Sequence, residues 1–286
     1  MKKLLYLFLV LGLFACSEIA EFHTLTTEAI SKSMLGDHNA AVLDLEKAIE
    51  INPNHPLPYH LKGIISLNKN EPEEALIYFD KALELSSFYA KAYLGRSYAK
   101  YMLKDFEGAV DDSNDFKNFN NNHSESYWIR AMSKSMLGDH NAALSDINKA
   151  IEILPINYES SQENTVLFVA IEESFKPKQY TYLKDRANIY WWASEETDKI
   201  YYENALEDLN QAIILYPDIA ETYMMRAYHK FRINDFLGSC IDINKSIELG
   251  LIMSEMDSIS INDAKVYDRS YILYKELKNI VCNTKK

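Results

Sequence analysis

Seven histidines, three cysteines and 42 carboxylates are the side chains of this 286-residue chain that could do chemistry. The histidines (His23, His38, His55, His60, His123, His140 and His229) are dispersed. None stands in the His-Glu-x-x-His spacing that sets two imidazoles on one helix face for a metal. There is no Cys-x-x-Cys, no glycine run to cradle a phosphate, and no Gly-x-Ser-x-Gly turn to expose a nucleophilic serine. Carboxylates abound, but no pair separates itself from solvated helix faces as general acid and base. What recurs instead is charge at fixed positions. Arg96, Arg130, Arg186 and Arg226 each precede a small residue by one, and Asp44, Asp112, Asp146, Asp208 and Asp242 each follow another by three. Such recurrence reads as ion pairs or caps within or between structural units, the alternative being a ladder of ligand-binding charges. His38 and His140 are one repeated position whose counterparts are Phe106, Tyr202 and Phe236, so packing explains them better than acid–base work.

The elements that carry these residues are helical. The chain is 48% hydrophobic and 25% charged, enough to bury a sizeable core, and only 8 Gly and 7 Pro punctuate it. Sheet-rich folds need more turn residues than that. A formal charge of −12 repels phosphates, so nucleic acid is not the expected partner.

The first 15 residues read as an address. Met1-Lys2-Lys3 is a short basic region, and Leu4 to Phe14 is an apolar run about half as long as a bilayer-spanning helix requires. It ends in Leu13-Phe14-Ala15-Cys16, which resembles the lipobox of bacterial lipoproteins, with Phe14 bulkier than the small residue usual there. The resemblance implies cleavage after Ala15, a lipidated Cys16, a short tether over 16–21, and, with Ser17 next, sorting to the outer membrane. The alternative is a plain secreted or uncleaved leader. Cys240 and Cys282 could form one disulfide in an oxidising compartment or stay as two thiols.

The body repeats. Ser31 to Pro53 and Ser133 to Pro155 agree at 18 of 23 positions, and their offset of 102 is three times 34. A 34-residue period points to stacked helix–turn–helix units. Small residues fall into the same register at Ala41, Ala75, Ala109, Ala143, Ala205 and Ser239, at Ala48, Ala82, Ala150, Ala212 and Ser246, and at Ala29, Gly63, Ser97, Ala131, Ala187 and Ala227. Two helices approach closely only where side chains are small, and one hairpin cannot bury both of its faces, so neighbours must stack.

This pattern, with Tyr59, Tyr93, Tyr127 and Tyr223 in the first helices and Pro53, Pro155 and Pro217 closing second helices, resembles the tetratricopeptide repeat family. The resemblance implies an all-α, right-handed superhelical solenoid of about six hairpins. Repeats 1–4 fall over 22–157 and repeats 5–6 over 180–253. Between Ala143 and Ala205 the marks are 62 apart, 28 more than one period. About six of these lengthen the inter-helix loop of repeat 5, and the rest form an insert over 158–179 that contains Val166 to Ile171. That insert is either a padding helix or a lid over the groove. Residues 254–286 read as a C-terminal capping segment with a helix over 263–282. Repeat 3 departs from the pattern at Ser113 and Phe116 and ends in Asn120-Asn121-Asn122, where a left-handed asparagine is expected to stop the helix.

The resemblance implies a protein–protein interaction scaffold held at the bacterial envelope by Cys16, not an enzyme, with no metal or cofactor. The alternative is an accessory or catalytic subunit of an envelope enzyme. In the family the first helix of each unit lines the concave face, and by register that face carries Leu94, Tyr98 and Tyr101, then Trp128, Met132 and Met136, then Trp191 and Trp192, then Met224, Tyr228 and Phe231. Some family members hold a partner's terminal carboxylate there with Lys, Arg and Asn. An apolar, aromatic and Met-rich row suits a peptide or protein segment instead.

Overall fold

The computed structural model describes residues 2–154, 178–194 and 199–250, with side chains from Ser17 onward except Lys199. The expected insert (but for residues 178 and 179) and the capping segment lie outside them. The described residues form twelve α-helices and no strand: α1 Lys2–Met34, α2 His38–Ile51, α3 Pro56–Asn68, α4 Pro72–Leu85, α5 Ala90–Met102, α6 Phe106–Phe119, α7 Ser124–Met136, α8 His140–Ile153, α9 Lys178–Ala193, α10 Lys199–Leu215, α11 Ala220–Arg232 and α12 Phe236–Glu248. Twelve helices in chain order make six hairpins. Among the described residues no helix is long and apolar enough to cross a membrane.

Five of the hairpins turn in three residues, and the same backbone device closes each. The middle turn residue is left-handed: Gly36, Asn70, Lys104, Gly138 and Asn234, with φ between 59° and 87°. The next residue's amide reaches back five positions to a carbonyl, as Asp37 does to Lys32 at 2.9 Å and Asp235 to Lys230 at 2.8 Å. These are Schellman closures of the first helix. The residue that closes one helix then opens the next. Asp37, Asp105, Asp139 and Asp235 each accept from the amide three residues on, at 2.9–3.2 Å. Glu71 makes no such cap, and Pro72 starts α4 instead. The asparagine run after α6 works differently from expectation. Asn120 ends the helix with extended backbone at φ −145°. Its side-chain oxygen accepts from the Asn122 amide at 3.0 Å, so a local side-chain turn, not a left-handed residue, makes the break.

Two compact units divide the chain within α7, after Ser133. In the first, the small residues expected at helix crossings are buried, and Ala29, Ala41, Leu45, Leu61 and Ile65 pack together. Phe79 is the wedge of this unit. Its ring is fully buried and lies against Gly63 of α3 and Gly95 of α5, so close that a Cβ on Gly63 would meet it at 2.7 Å. In the second unit, Tyr180, Leu183 and Ala212 form one cluster and Ala187, Ala205 and Leu209 another. The Tyr180 hydroxyl is bonded to Thr222 Oγ1 at 2.7 Å in the buried seam between α9 and α11.

The recurrent charges form staples. Arg96 holds Asp112 of its own hairpin with two bonds, Nε at 2.8 Å and Nη2 at 2.6 Å, and reaches Asp80 of the preceding hairpin at 2.7 Å. Arg226 repeats the arrangement with Asp242 and Asn210, and Arg186 with Asp208 and Asn148. Arg130 reaches Asn114 at 2.7 Å. The staples of Arg96, Arg186 and Arg226 each lock a hairpin to itself and to its predecessor. Arg186 and Asn148 are 38 residues apart where the other backward pairs are 16 apart, and Arg186 and Asp208 are 22 apart instead of 16. The stack therefore continues from α8 to α9 across the 22 additional residues. Arg96 carries its charge more firmly than usual, because the hydrogen bonds and charges of Asp112 and Asp80 outweigh the effect of burial.

Candidate partner-binding surfaces

The residues expected to line a groove fall in both units, and the structure treats them unequally. In the first unit, Leu94, Trp128 and Met132 are buried, at 4%, 8% and 6% exposure, whereas Tyr98 and Tyr101 are half-buried. Tyr98 stacks on Trp128 with ring centroids 6.1 Å apart, and Tyr101 lies 6.4 Å from the same indole. These side chains are one packed aromatic cluster. Leu94 borders a cavity of about 270 Å³ with His60, Tyr89, Phe116 and Phe119, and Lys91 at the head of α5 also lines it.

In the second unit the row is more accessible. Trp191, Trp192, Met224, Tyr228 and Phe231 are all half-buried, and Met136, at the end of α7, is 46% exposed. Trp191 of α9 meets Tyr228 of α11 with ring centroids 4.7 Å apart. Phe231 packs edge-on against Phe236 at 5.5 Å. Burial raises the Tyr228 pKa, so the phenol stays neutral. Two helices from successive hairpins thus present a half-buried band of four aromatic rings and Met224, a composition typical of protein-binding surfaces.

Two histidines are buried among the packing residues. His60 and His229 are 4% and 1% exposed, and neither Nδ1 has a hydrogen-bond partner. Burial pushes each down to about 3, with Lys91 adding to the effect at His60 and Arg232 at His229. A histidine depressed in the fold and ordinary in the unfolded chain stabilises fully above about pH 6.5, and its contribution is lost as pH falls from there toward 3. Each ring should remove about 1.4 kcal/mol per pH unit over that interval. Urea midpoints measured from pH 7 down to about pH 4 should therefore fall more steeply for the wild type than for His60→Leu/His229→Leu. Parallel profiles would contradict this account of the two rings.

No group of three or more His, Cys, Asp or Glu able to hold a metal occurs among the described residues. Cys240 is disulfide-bonded, and its partner lies outside the residues described with side chains.

Comparison with known proteins agrees with this geometry. Family descriptions of the tetratricopeptide repeat match residues 33–55 and 45–77. The structure overlays on that of PilF from Pseudomonas aeruginosa with a TM-score of 0.64, over 91% of this chain and 99% of the other, at 13% identity. The fold is a tetratricopeptide-repeat array. YrrB, a tetratricopeptide protein whose structure is reported with an unusual peptide-binding site, overlays with a TM-score of 0.50 over 72% of this chain and 92% of its own, at 19% identity. In sequence, 51 residues are 41% identical to an uncharacterized protein of Methanocaldococcus jannaschii. That match covers 18% of this chain and 59% of the relative's length. Stacked helix hairpins account for the small-residue crossings. They do not explain why α9 and α11 carry an aromatic band.

Proposed function

We propose that this protein is a membrane-anchored lipoprotein of the bacterial cell envelope, attached through Cys16 and probing for a protein or peptide segment with the side chains of α9 and α11. The observation that carries the reading is the half-buried band of Trp191, Trp192, Met224, Tyr228 and Phe231. Aromatic and Met side chains supply large contact areas with adaptable shape, and they anchor peptides in helical or extended form. A tetratricopeptide array suits an interaction scaffold, and YrrB offers the precedent of a peptide-binding site on this fold. The recurrent Arg and Asp residues are consumed in staples, which leaves them poorly placed as a ligand ladder. For the anchor the support is the Leu13-Phe14-Ala15-Cys16 run after a basic and apolar leader. A disulfide on Cys240 suits an oxidising compartment outside the cytoplasm. The outer membrane is the proposed location, from Ser17 after the lipidated cysteine.

Lipid attachment makes a direct prediction. Several acyl chains bind a membrane stably, at about 0.8 kcal/mol per buried CH₂. Cys16→Ser should move the protein from the membrane pellet to the soluble fraction, and retention of the variant in the pellet would refute the anchor. The docking surface makes another. Because Trp191 and Tyr228 are only half-buried, Trp191→Ala/Tyr228→Ala should melt within a few degrees of the wild type while capturing less partner from solubilised envelope. Loss of the cooperative unfolding transition would mean instead that the two rings are core.

A further inference from the structure

The two edges of the first unit are built differently. The first helices of successive hairpins pack side by side, α1 on α3 and α3 on α5, so the loops that lead into α3, α5 and α7 share one edge. These loops are 52–55, 86–89 and 120–123, and none of the chain's 42 Asp and Glu falls in them. Glu125, just inside α7, is buried against His123 at 2.9 Å. At the opposite edge every hairpin turn ends in a carboxylate, at Asp37, Glu71 and Asp105. The edge without acids also carries bare aromatic rings. Phe88 is 82% exposed, and one period to either side the same place holds Asn54 and Asn122, so the turn itself does not need a ring. Phe88 meets Phe119, 46% exposed, edge-on at 6.5 Å, and Phe119 stacks on Tyr93 at 6.0 Å. Cys16 belongs to this edge too. Phe22 of α1 packs on His55 with ring centroids 4.8 Å apart, which sets Phe22 level with the loops. Since α1 runs unbroken from Lys2 to Met34, Cys16 stands six residues, about 9 Å, beyond them. The opposite edge exposes Leu35, but that residue is nineteen positions from Cys16, about 28 Å of helix.

We propose that this edge lies on the membrane to which Cys16 is attached, with Phe88 and Phe119 inserted among the lipid headgroups. The proposal rests on lipid attachment at Cys16. Aromatic rings on an otherwise polar surface suit the bilayer interface, and loops without carboxylates can approach it without stripping water from a charge. Glu18 and Glu21 of α1 lie between Cys16 and the edge and bring negative charge to the same surface. Insertion of the rings, and not attraction to anionic lipid, therefore holds the edge in place. Helices α3 to α6 then stand on end, with the turns at Asp37, Glu71 and Asp105 facing away from the bilayer.

The test uses the full lipidated protein in vesicles of phosphatidylcholine brominated on the acyl chains, which quench tryptophan by contact. Phe88→Trp is compared with Leu35→Trp at the opposite edge, each after subtraction of the parent protein's fluorescence. Both positions are exposed, so both variants should melt as the wild type does. Flotation of the same samples reports the lipid anchor. Phe88→Trp should lose at least about half of its added fluorescence, and Leu35→Trp almost none. The loss should persist at about 0.5 M salt, because ring insertion is not screened. Equal quenching of the two variants, or an unquenched Phe88→Trp in protein that floats with the vesicles, would overturn the placement of this edge and leave the anchor standing. Protein that does not float would overturn the anchor, and the placement with it.

Discussion

Arg186→Ala should cost about 3–5 kcal/mol of stability, among the largest losses available to a single substitution in this chain. The reason is the carboxylate it leaves behind. Asp208 is 2% exposed and takes two bonds from Arg186, at 2.8 and 2.5 Å. The third and sixth hairpins give their aspartates a lysine as well, but here that position is Tyr190, which brings no charge. Burial already raises the Asp208 pKa above the usual value, even against the pull of Arg186. Without the guanidinium, the carboxyl must stay charged and unpaired or take up a proton. The deficit should therefore shrink as pH falls and Asp208 becomes neutral, because the penalty belongs to the ionised form. Arg186→Met/Asp208→Leu should recover most of the loss, since replacing a buried pair by apolar groups of similar size is often close to neutral. Chemical denaturation of the three proteins at two pH values decides the matter. A double variant as unstable as Arg186→Ala would mean that the staple acts by shape and not by charge.

Phe79→Ala should cost a similar amount, about 3–5 kcal/mol, by emptying the space between α3 and α5. The ring is fully buried, and both of its glycine neighbours exist because it is there. Gly95→Ala should accordingly destabilise by about 1–3 kcal/mol, since the added methyl and the rigid ring claim one volume. In most helices that substitution would stabilise, because alanine is the better helix former. The reversal of sign is the signature of the wedge. Phe79→Leu/Gly95→Ala should be milder than the sum of its parts, because the smaller side chain yields the space the methyl needs. Thermal unfolding of the single and double variants measures the coupling. Strict additivity would show that the ring and the glycine do not compete.

Much of this was legible in the sequence, because a repeat states its own rules several times. The near-copy of Ser31–Pro53 at Ser133–Pro155 gave the period, and the small residues in register marked the helix crossings. The recurring Arg and Asp were recognisable as pairs. What could not be read was that Arg96, Arg186 and Arg226 each reach both their own hairpin and the preceding one, since that requires the stacking distance. Burial of individual groove candidates was hidden for a similar reason. Leu94 and Trp128 occupy the same repeat position as the half-buried Met224, and the buried Met132 that of the half-buried Tyr228, but their exposure depends on what packs against each hairpin. Asn120 shows the limit of residue preference, for its side chain completed a turn that its backbone was expected to make.

Site-directed photo-crosslinking in the native envelope shows whether the band on α9 and α11 contacts a partner. A benzophenone side chain placed at Trp192 or Met224 should form an ultraviolet-dependent adduct of one defined size. The same group at Glu207, an exposed position of α10 outside the band, should not form it. Addition of Trp191→Ala/Tyr228→Ala should weaken the adduct. An adduct equally strong from Glu207, or none from either position in the band, would contradict the account.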